Sequence, residues 1–350
     1  MALGDQYRIA AIVPCYNEEL AVGQVVQDLL AAVPGIVVYV YDNASTDATA
    51  EVAAAAGAVV RNEPLKGKGN AVRRAFADID ADIYLLIDGD DTYDAFAAPE
   101  MIQTLVDENL DHVLGVRREV EDGETSAYRP AHEAGNKMLN GIVTSLFGDT
   151  LGDMLSGYRV FSRRFVKSFP AASQEFEIET ELTVHSLALR IPTAKVDVDF
   201  KDRPEGSESK LRTFRDGFKI LGVIARLTRH ERPMSFFGTL AGTAAMVALL
   251  VGGIAELRTG SVDGAAATTT VAAIVVAVLL LISGFILDAI RKGRHDNGRA
   301  NYMRYDAVRD TAQARPIAVP AQRRFARRPR AEEIDVLEIH VDPRDDAKAV

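Results

Sequence analysis

The sequence carries one cysteine, no tryptophan and no basic excess across its 350 residues. A single cysteine, Cys15, excludes an intrachain disulfide and fits a reducing compartment. It lies in an apolar run, which points to a buried, inert thiol rather than a nucleophile. Forty lysines and arginines against fifty aspartates and glutamates leave a formal net charge of −10. A general nucleic-acid binder is usually basic, so that class is set aside while local basic sites are not. The stretch MALGDQYRIAAIVP has no basic region followed by an apolar run and a cleavage site, so no secretory signal is expected. No internal repeat is visible.

Apolar residues are unevenly spread. Residues 1–233 read as mixed soluble sequence, 235–290 are almost wholly apolar, and 291–350 are polar and charged. Two stretches, 235–255 and 265–287, are each long enough to cross about 30 Å as a helix. The connector 256–264 is too short for a domain, so the two are expected to form a hairpin. Arg226, Arg229 and Arg232 precede it, Arg291, Lys292 and Arg294 follow it, and the connector holds only Arg258. That asymmetry places both termini in the cytoplasm of an integral cell-membrane protein. Two buried soluble helices are the competing reading. Just upstream, Leu211, Phe214, Phe218, Leu221 and Ala225 share helical spacing, with Arg212, Arg215, Lys219, Arg226 and Arg229 on much of the remainder. Beside membrane-length spans this reads as an amphipathic interfacial helix over 210–233. The tail 291–350 lacks periodicity and is expected to be partly disordered; its RRFARRPR run (323–330) faces lipid head groups or solvent.

Short β-branched runs at 9–14, 36–41, 58–61, 83–88 and 112–116 read as buried strands, alternating with helical stretches at 18–33, 46–56 and 69–78. Ser45 or Thr46 is placed to cap the second helix. Further on, 133–147 and 176–189 read as helices and 194–200 as a strand. The alternation predicts a mainly parallel sheet with helices on both faces, and such sheets bind ligands at the carboxyl ends of their strands. Polar clusters at 14–18, 42–47, 88–91 and 117–118 then share one rim.

Several of these clusters have chemistry of their own. Lys66-Gly67-Lys68-Gly69 brings two cations onto a flexible turn before a helix N-terminus, which suits a diphosphate. It is not a P-loop, because Gly69 stands where Ser or Thr is needed and Asn62 at the first glycine position. Asp88-Gly89-Asp90-Asp91 gathers carboxylates that repel one another unless a cation sits among them. Mg²⁺ or Mn²⁺ held by one or two carboxylates plus substrate phosphates fits. An EF-hand does not, since Tyr93 replaces its glycine and Pro99 its terminal glutamate. Asp47 reads equally as a ligand or as a carboxylate stabilising a helix N-terminus.

In order and spacing, VPCYNEE (13–19), DNASTD (42–47), GKGNAVRRA (67–75) and IDGDD (87–91) resemble the inverting family-two glycosyltransferases of GT-A, Rossmann-like fold. LGDMLSGYRVFSRR (151–164), FEIETEL (176–182) and RPEGSESKL (203–211) resemble, more narrowly, dolichyl- and polyprenyl-phosphate mannose or glucose synthases. The resemblance covers about 8–220 and implies a catalytic domain over 1–209. It implies that Pro14, Tyr16, Glu18, Asp42, Lys68, Asp88 and Gly89 hold the donor nucleotide, and that Asp90, with Asp88, holds the metal. Those synthases often continue with a Leu-Gln pair where this chain has Asp91-Thr92, so a glutamine ligand does not carry over and Thr92 is the candidate substitute. Asp153 matches an aspartate near the acceptor. Arg117 and Arg203 fall at the family's basic positions, and Arg129, Arg159 and Lys210 are further candidates for the acceptor phosphate. Such cations are needed, because two unit charges ~4 Å apart repel by about 4 kcal/mol at an effective dielectric of 20. The implied donor is a UDP-hexose, with GDP-mannose the alternative; the implied partners are a polyprenyl phosphate and the bilayer, and homo-oligomerisation is left open. A processive polysaccharide synthase is excluded, because its Gln-x-x-Arg-Trp motif needs the tryptophan the chain lacks. A nucleotidyltransferase leaves SGYR and RPEGS unexplained, and a catalytically inactive membrane-tethered sugar-nucleotide sensor conflicts with intact Asp88, Asp90 and Asp153.

Overall fold

The computed structural model describes residues 3–119, 141, 144, 152–170, 178–201, 228–259 and 264–311. Among these residues seven strands form one sheet: β1 Ile9–Cys15, β2 Val37–Asp42, β3 Val59–Asn62, β4 Ile83–Leu86, β5 His112–Glu119, β6 Arg159–Ser162 and β7 Thr193–Phe200. Their spatial order is β3-β2-β1-β4-β6-β5-β7. The β1–β2, β1–β4, β2–β3 and β5–β7 pairs are parallel, so the expected mainly parallel α/β sheet is present. β4 is buried at every position, as are all but one residue of β1, because helices cover both faces and leave no side of a central strand to water.

One face carries α2 (Val22–Ala32), α3 (Thr49–Ala55) and α5 (Ala98–Asp107), whose Val22, Val26, Leu29, Ala53, Met101, Ile102 and Leu105 pack with Val13 and Leu85. The other carries α4 (Lys68–Asp78), α6 (Arg163–Ser168) and α7 (Ile178–Leu189), where Val72, Phe76, Phe165, Ile178 and Leu182 pack on Ile12, Tyr84 and Leu86. A short α1 (Leu3–Gln6) precedes the sheet.

Three local readings are corrected. β6 runs antiparallel between β4 and β5, a strand that the four-residue run Arg159–Ser162 does not announce in sequence. α5 is a further helix that the sequence pattern above does not mark. Neither Ser45 nor Thr46 caps α3: the helix starts at Thr49, and the Asp47 carboxylate accepts the Thr49 N–H at 3.1 Å. The expected helix at 133–147 falls almost entirely outside the described residues, and the amphipathic stretch 210–227 wholly so.

Two apolar helices follow, α8 (Pro233–Thr259) and α9 (Gly264–Tyr302), and they pack on each other. Only 11% of each membrane-length window is buried, which removes the reading as core helices of a soluble domain. Leu249, Leu257, Val271 and Phe285 are among the many apolar side chains they expose, a membrane-associating surface.

α9 does not end near 287, and the tail does not lose its structure at 291. The helix continues for fifteen further, largely polar residues, 288–302, with Asp288 paired to Arg291 and Lys292 at 3.1 and 3.0 Å. Its end docks on the sheet domain. The Tyr302 hydroxyl donates to Asp111 Oδ2 at 2.5 Å, and Val308 is buried in the α2–α5 core. Asp111 is fully buried, and a carboxylate there needs partners. Arg164 supplies a two-pronged pair and Ser162 a hydroxyl, so Tyr302 completes an existing polar hub.

Candidate active site

Three rim loops are locked to one another by hydrogen bonds. Asn17, in a left-handed backbone conformation that asparagine tolerates, donates its N–H to Ser45 Oγ and accepts that of Thr46. Glu18 N–H donates to Thr49 Oγ1, and Ala48 N–H to Glu19 Oε2. Asp47 accepts from the Glu19 and Thr49 backbones and from the Thr49 hydroxyl. Burial raises its pKa, but these bonds more than offset that and hold the carboxyl below its ordinary value. Asp47 therefore braces the rim. Asp42 is half-buried at the end of β2, where it accepts the Ser45 N–H at 3.1 Å.

Asn43 was missed by the sequence reading. Its Oδ1 accepts the Gly67 N–H at 2.5 Å while its Nδ2 donates to the carbonyls of Glu63 and Leu65. One side chain thereby holds the Lys66–Gly69 turn against β2. Gly67 itself has φ of 129°, open to glycine and rarely to others. Lys66 Nζ lies 3.9 Å from the centre of the Tyr16 ring and donates to its hydroxyl.

At the centre, Gly89 passes so close to β1 that a Cβ would collide with Cys15 Sγ, so only glycine lets the Asp88–Asp90 turn sit there. Cys15 is buried, and burial together with Glu18, Asp90, Asp42 and Asp88 pushes its thiol far up, leaving it inert. Asp90 is 7% exposed, and its Oδ1 accepts from the Thr92 hydroxyl at 2.7 Å and the Thr92 N–H at 3.3 Å. Thr92 thus orients Asp90. Asp91 turns away and pairs with Lys201 at 2.9 Å. Among the described residues no group of three or more His, Cys, Asp or Glu side chains is arranged to hold a metal ion by itself. The donor set consequently fits an ion held by one or two carboxylates with substrate phosphates and water completing it, not an all-protein cage.

Lys68 does not stand open as a free diphosphate ligand. Its Nζ bridges Asp88 Oδ1 and Glu179 Oε1, both at 2.5 Å. Burial opposes its charge, but the two carboxylates more than offset that and raise its pKa.

The Asp153 loop closes on the same spot. A Cβ at Gly157 would stand 2.5 Å from Asp88 Oδ2, so glycine lets this loop approach without displacing the carboxylate. Gly157 N–H donates to the Tyr93 hydroxyl, and Ser156 Oγ donates to the Gly115 carbonyl. Arg117, within β5, makes a forked pair with Asp153 and lies 5.3 Å over the Phe200 ring.

Arg159 is reassigned. It is fully buried, and its guanidinium donates to the carbonyls of Met154 and Ser156 and to Thr183 Oγ1. Burial pushes its pKa down to about 10, with Glu179 and Asp153 opposing the fall. It braces the Asp153 loop against α7 and does not face an acceptor. Arg129, Arg203 and Lys210 lie outside the described residues.

The glycosyl transferase family 2 profile matches residues 10–169. Glycosyltransferase AglJ of Haloferax volcanii is 36% identical over 234 residues, 66% of this chain and 76% of AglJ. The chain belongs to glycosyl transferase family 2. This family 2 glycosyltransferase is also 28% identical to the dolichyl-phosphate hexose transferase of the same organism, over 64% of its own length and 95% of the relative's. Among solved structures, glucosyl-3-phosphoglycerate synthase from Mycobacterium tuberculosis, in complex with Mn²⁺, UDP and phosphoglyceric acid, superposes with a TM-score of 0.52. It is 22% identical and covers 63% of this chain and 78% of that one, so the likeness establishes the GT-A fold.

Proposed function

We propose that this family 2 enzyme transfers a hexose, with inversion, from a nucleotide diphosphate sugar, a UDP-hexose in the first instance, to a polyprenyl phosphate at the cytoplasmic membrane face. The observation that carries the reading is the contact of Gly157 with Asp88. It joins the Arg117–Asp153 pair to the Asp88–Asp90 carboxylates at one rim, in a chain that also exposes two membrane-length apolar helices. The name of the dolichyl-phosphate hexose transferase relative supports the acceptor class, and the UDP complex of the solved neighbour supports the donor class.

In this reading Pro14, Tyr16, Glu18 and Asp42 hold the nucleoside. An acceptor phosphate oxygen attacks the anomeric carbon from the side opposite the diphosphate. The new phosphate–sugar bond forms as the old carbon–oxygen bond breaks, and its electron pair leaves with the nucleoside diphosphate. A phosphate monoester, with its second pKa about 6, is already an anion, so no strong general base is needed. Asp153 therefore acts by holding Arg117, whose fork engages a phosphate through paired hydrogen bonds and offsets the repulsion between the two anions. Arg203, Arg129 and Lys210 are proposed to add to that charge. Asp90, with Asp88, would hold Mg²⁺ or Mn²⁺, which when bound neutralises charge developing on the leaving diphosphate. Residues 210–233 are proposed to lie in the head-group layer and to keep the rim facing the bilayer.

Purified enzyme in detergent, given UDP-glucose or GDP-mannose with polyprenyl phosphate and Mg²⁺ or Mn²⁺, is expected to form a lipid-linked hexose, read by mass spectrometry. Failure with every sugar nucleotide would remove the assignment. For topology, a cysteine at position 261 in a Cys15→Ser background should label from the far side only.

A further inference from the structure

FEIETEL has no assigned role in the chemistry above, yet it supplies a side chain to the centre of the site. Glu179 stands on the first turn of α7 and is 3% exposed. Its Oε1 lies 2.5 Å from Lys68 Nζ, and the same ammonium lies 2.5 Å from Asp88 Oδ1. Its other oxygen, Oε2, is buried with no hydrogen-bond partner. An unpaired buried acceptor costs about 1–3 kcal/mol, and more when it carries charge. Burial indeed holds this carboxyl above its ordinary pKa, although Lys68 opposes the rise. Such an atom calls for a donor.

The chemistry of a nucleotide diphosphate sugar narrows which donor. The diphosphate has only acceptor oxygens facing outward at neutral pH. The base and ribose belong at the other end of the rim, beside Tyr16 and Asp42. A metal ion beside Glu179 would sit against the Lys68 ammonium already bound there. Hydroxyl groups of the sugar are the remaining donors, and they extend from the diphosphate that Asp88 and Asp90 face.

We propose that Glu179 Oε2 accepts a hydrogen bond from one hydroxyl of the transferred sugar, so that Glu179 helps to select which hexose is used. This rests on the donor site argued above. Lys68 then has a dual part: it holds Asp88 for the diphosphate end and fixes the Glu179 carboxylate so that one oxygen stays directed at the sugar. A carboxylate so held reads a hydroxyl more sharply than an apolar wall can, because a donor lacking that hydroxyl leaves a buried charge unpaired.

The test is calorimetric binding, without acceptor, of UDP-glucose or GDP-mannose, whichever the wild type binds, and of its four monodeoxy analogues. Full-length wild type, Glu179→Gln and Glu179→Ala are compared in detergent. Wild type should bind one analogue at least about tenfold more weakly than the parent sugar. That ratio should approach one in Glu179→Ala and be intermediate in Glu179→Gln, whose amide keeps one acceptor oxygen. Equal binding of all four analogues by wild type would overturn the proposal, and so would unchanged discrimination in the variants. If thermal melts show Glu179→Ala unfolded, Glu179→Gln alone decides in the same way. Because no acceptor is present, an error in the polyprenyl-phosphate assignment leaves this measurement standing. Binding of no sugar nucleotide at all would overturn both.

Discussion

Arg117 and Asp153 meet fork to fork, Nε to Oδ2 at 2.6 Å and Nη2 to Oδ1 at 2.8 Å, with the aspartate side chain 6% exposed and the arginine 15%. The pair joins β5 to the loop that Gly157 seats against Asp88, so its loss should be felt at the chemistry before it is felt in donor binding. Arg117→Ala is expected to lower acceptor-dependent turnover by about a hundredfold, the loss of one charge-assisted pair worth ~1.5–3 kcal/mol or more. Donor affinity should stay within about threefold of wild type. Arg117→Lys should rescue in part, because an ammonium gives charge without the fork. Equal loss of donor binding and acceptor use would move Arg117 into the donor site.

Asp90 is gripped by Thr92 through two hydrogen bonds to one oxygen. Asp90→Asn should abolish transfer while leaving the thermal melt close to wild type, and excess chelator should do the same until Mg²⁺ or Mn²⁺ is restored. Thr92→Val keeps the shape and removes the hydroxyl; turnover should fall about tenfold, whereas Thr92→Ser stays near wild type. Full activity in chelator would refute the metal.

Asn43 holds the Gly67 turn with three hydrogen bonds. Asn43→Ala frees that turn and should raise the dissociation constant of the nucleotide sugar about tenfold, with little change in the acceptor KM at saturating donor. A larger effect on the acceptor would place the turn elsewhere in the reaction.

Stability should fall in mild acid because two histidines, His112 fully buried and His185 half-buried, are held neutral. His185, packed edge-on to Phe165 and Phe169, has its pKa pushed down to about 4 by burial, with His295 adding to the fall. His112, stacked on Phe161, is pushed well below 6.5, again by burial first. Where the unfolded chain binds protons and the folded one does not, stability rises with pH. Their contribution is complete above about pH 6.5 and is lost as pH falls toward 4, at up to roughly 1.4 kcal/mol per pH unit for each group. His185→Gln should flatten the slope of denaturation free energy over that window by about one such contribution. An unchanged slope would assign the acid sensitivity to other groups.

Tyr302 ties the end of α9 to Asp111, with Arg164 placed 4.6 Å over its ring. Tyr302→Phe removes only the hydroxyl bond, whose loss from a charged acceptor is worth ~1.5–3 kcal/mol. The melt should fall by a few degrees, and amides of α6 should exchange faster. Unchanged exchange there would show that the contact does not hold the two parts together.

Sequence pattern alone sufficed for the α/β alternation, the strands β1 to β5 and β7, the two membrane-length helices and the placing of Asp42, Asp88 and Asp90 at strand ends. Each was legible for the same reason: short β-branched runs mark parallel strands, and the polar residues directly after them fall at the ends where such sheets bind ligands. What lay beyond it were relationships between residues far apart in the chain. Arg159 looked like a phosphate ligand because a charged residue in SGYRVFS gives no sign of which way it faces; folding turned it inward onto Met154, Ser156 and Thr183. Residues 291–311 read as part of a partly disordered tail because the partner of Tyr302, Asp111, lies 191 residues earlier in the chain. Lys68 and Glu179 come from two motifs that each read as separate, and only the packing of α4 and α7 on one face of the sheet made them a pair. Local pattern reports burial and secondary structure, whereas the choice of partner for a buried charge is made by tertiary packing, where desolvation penalises a charge left unpaired.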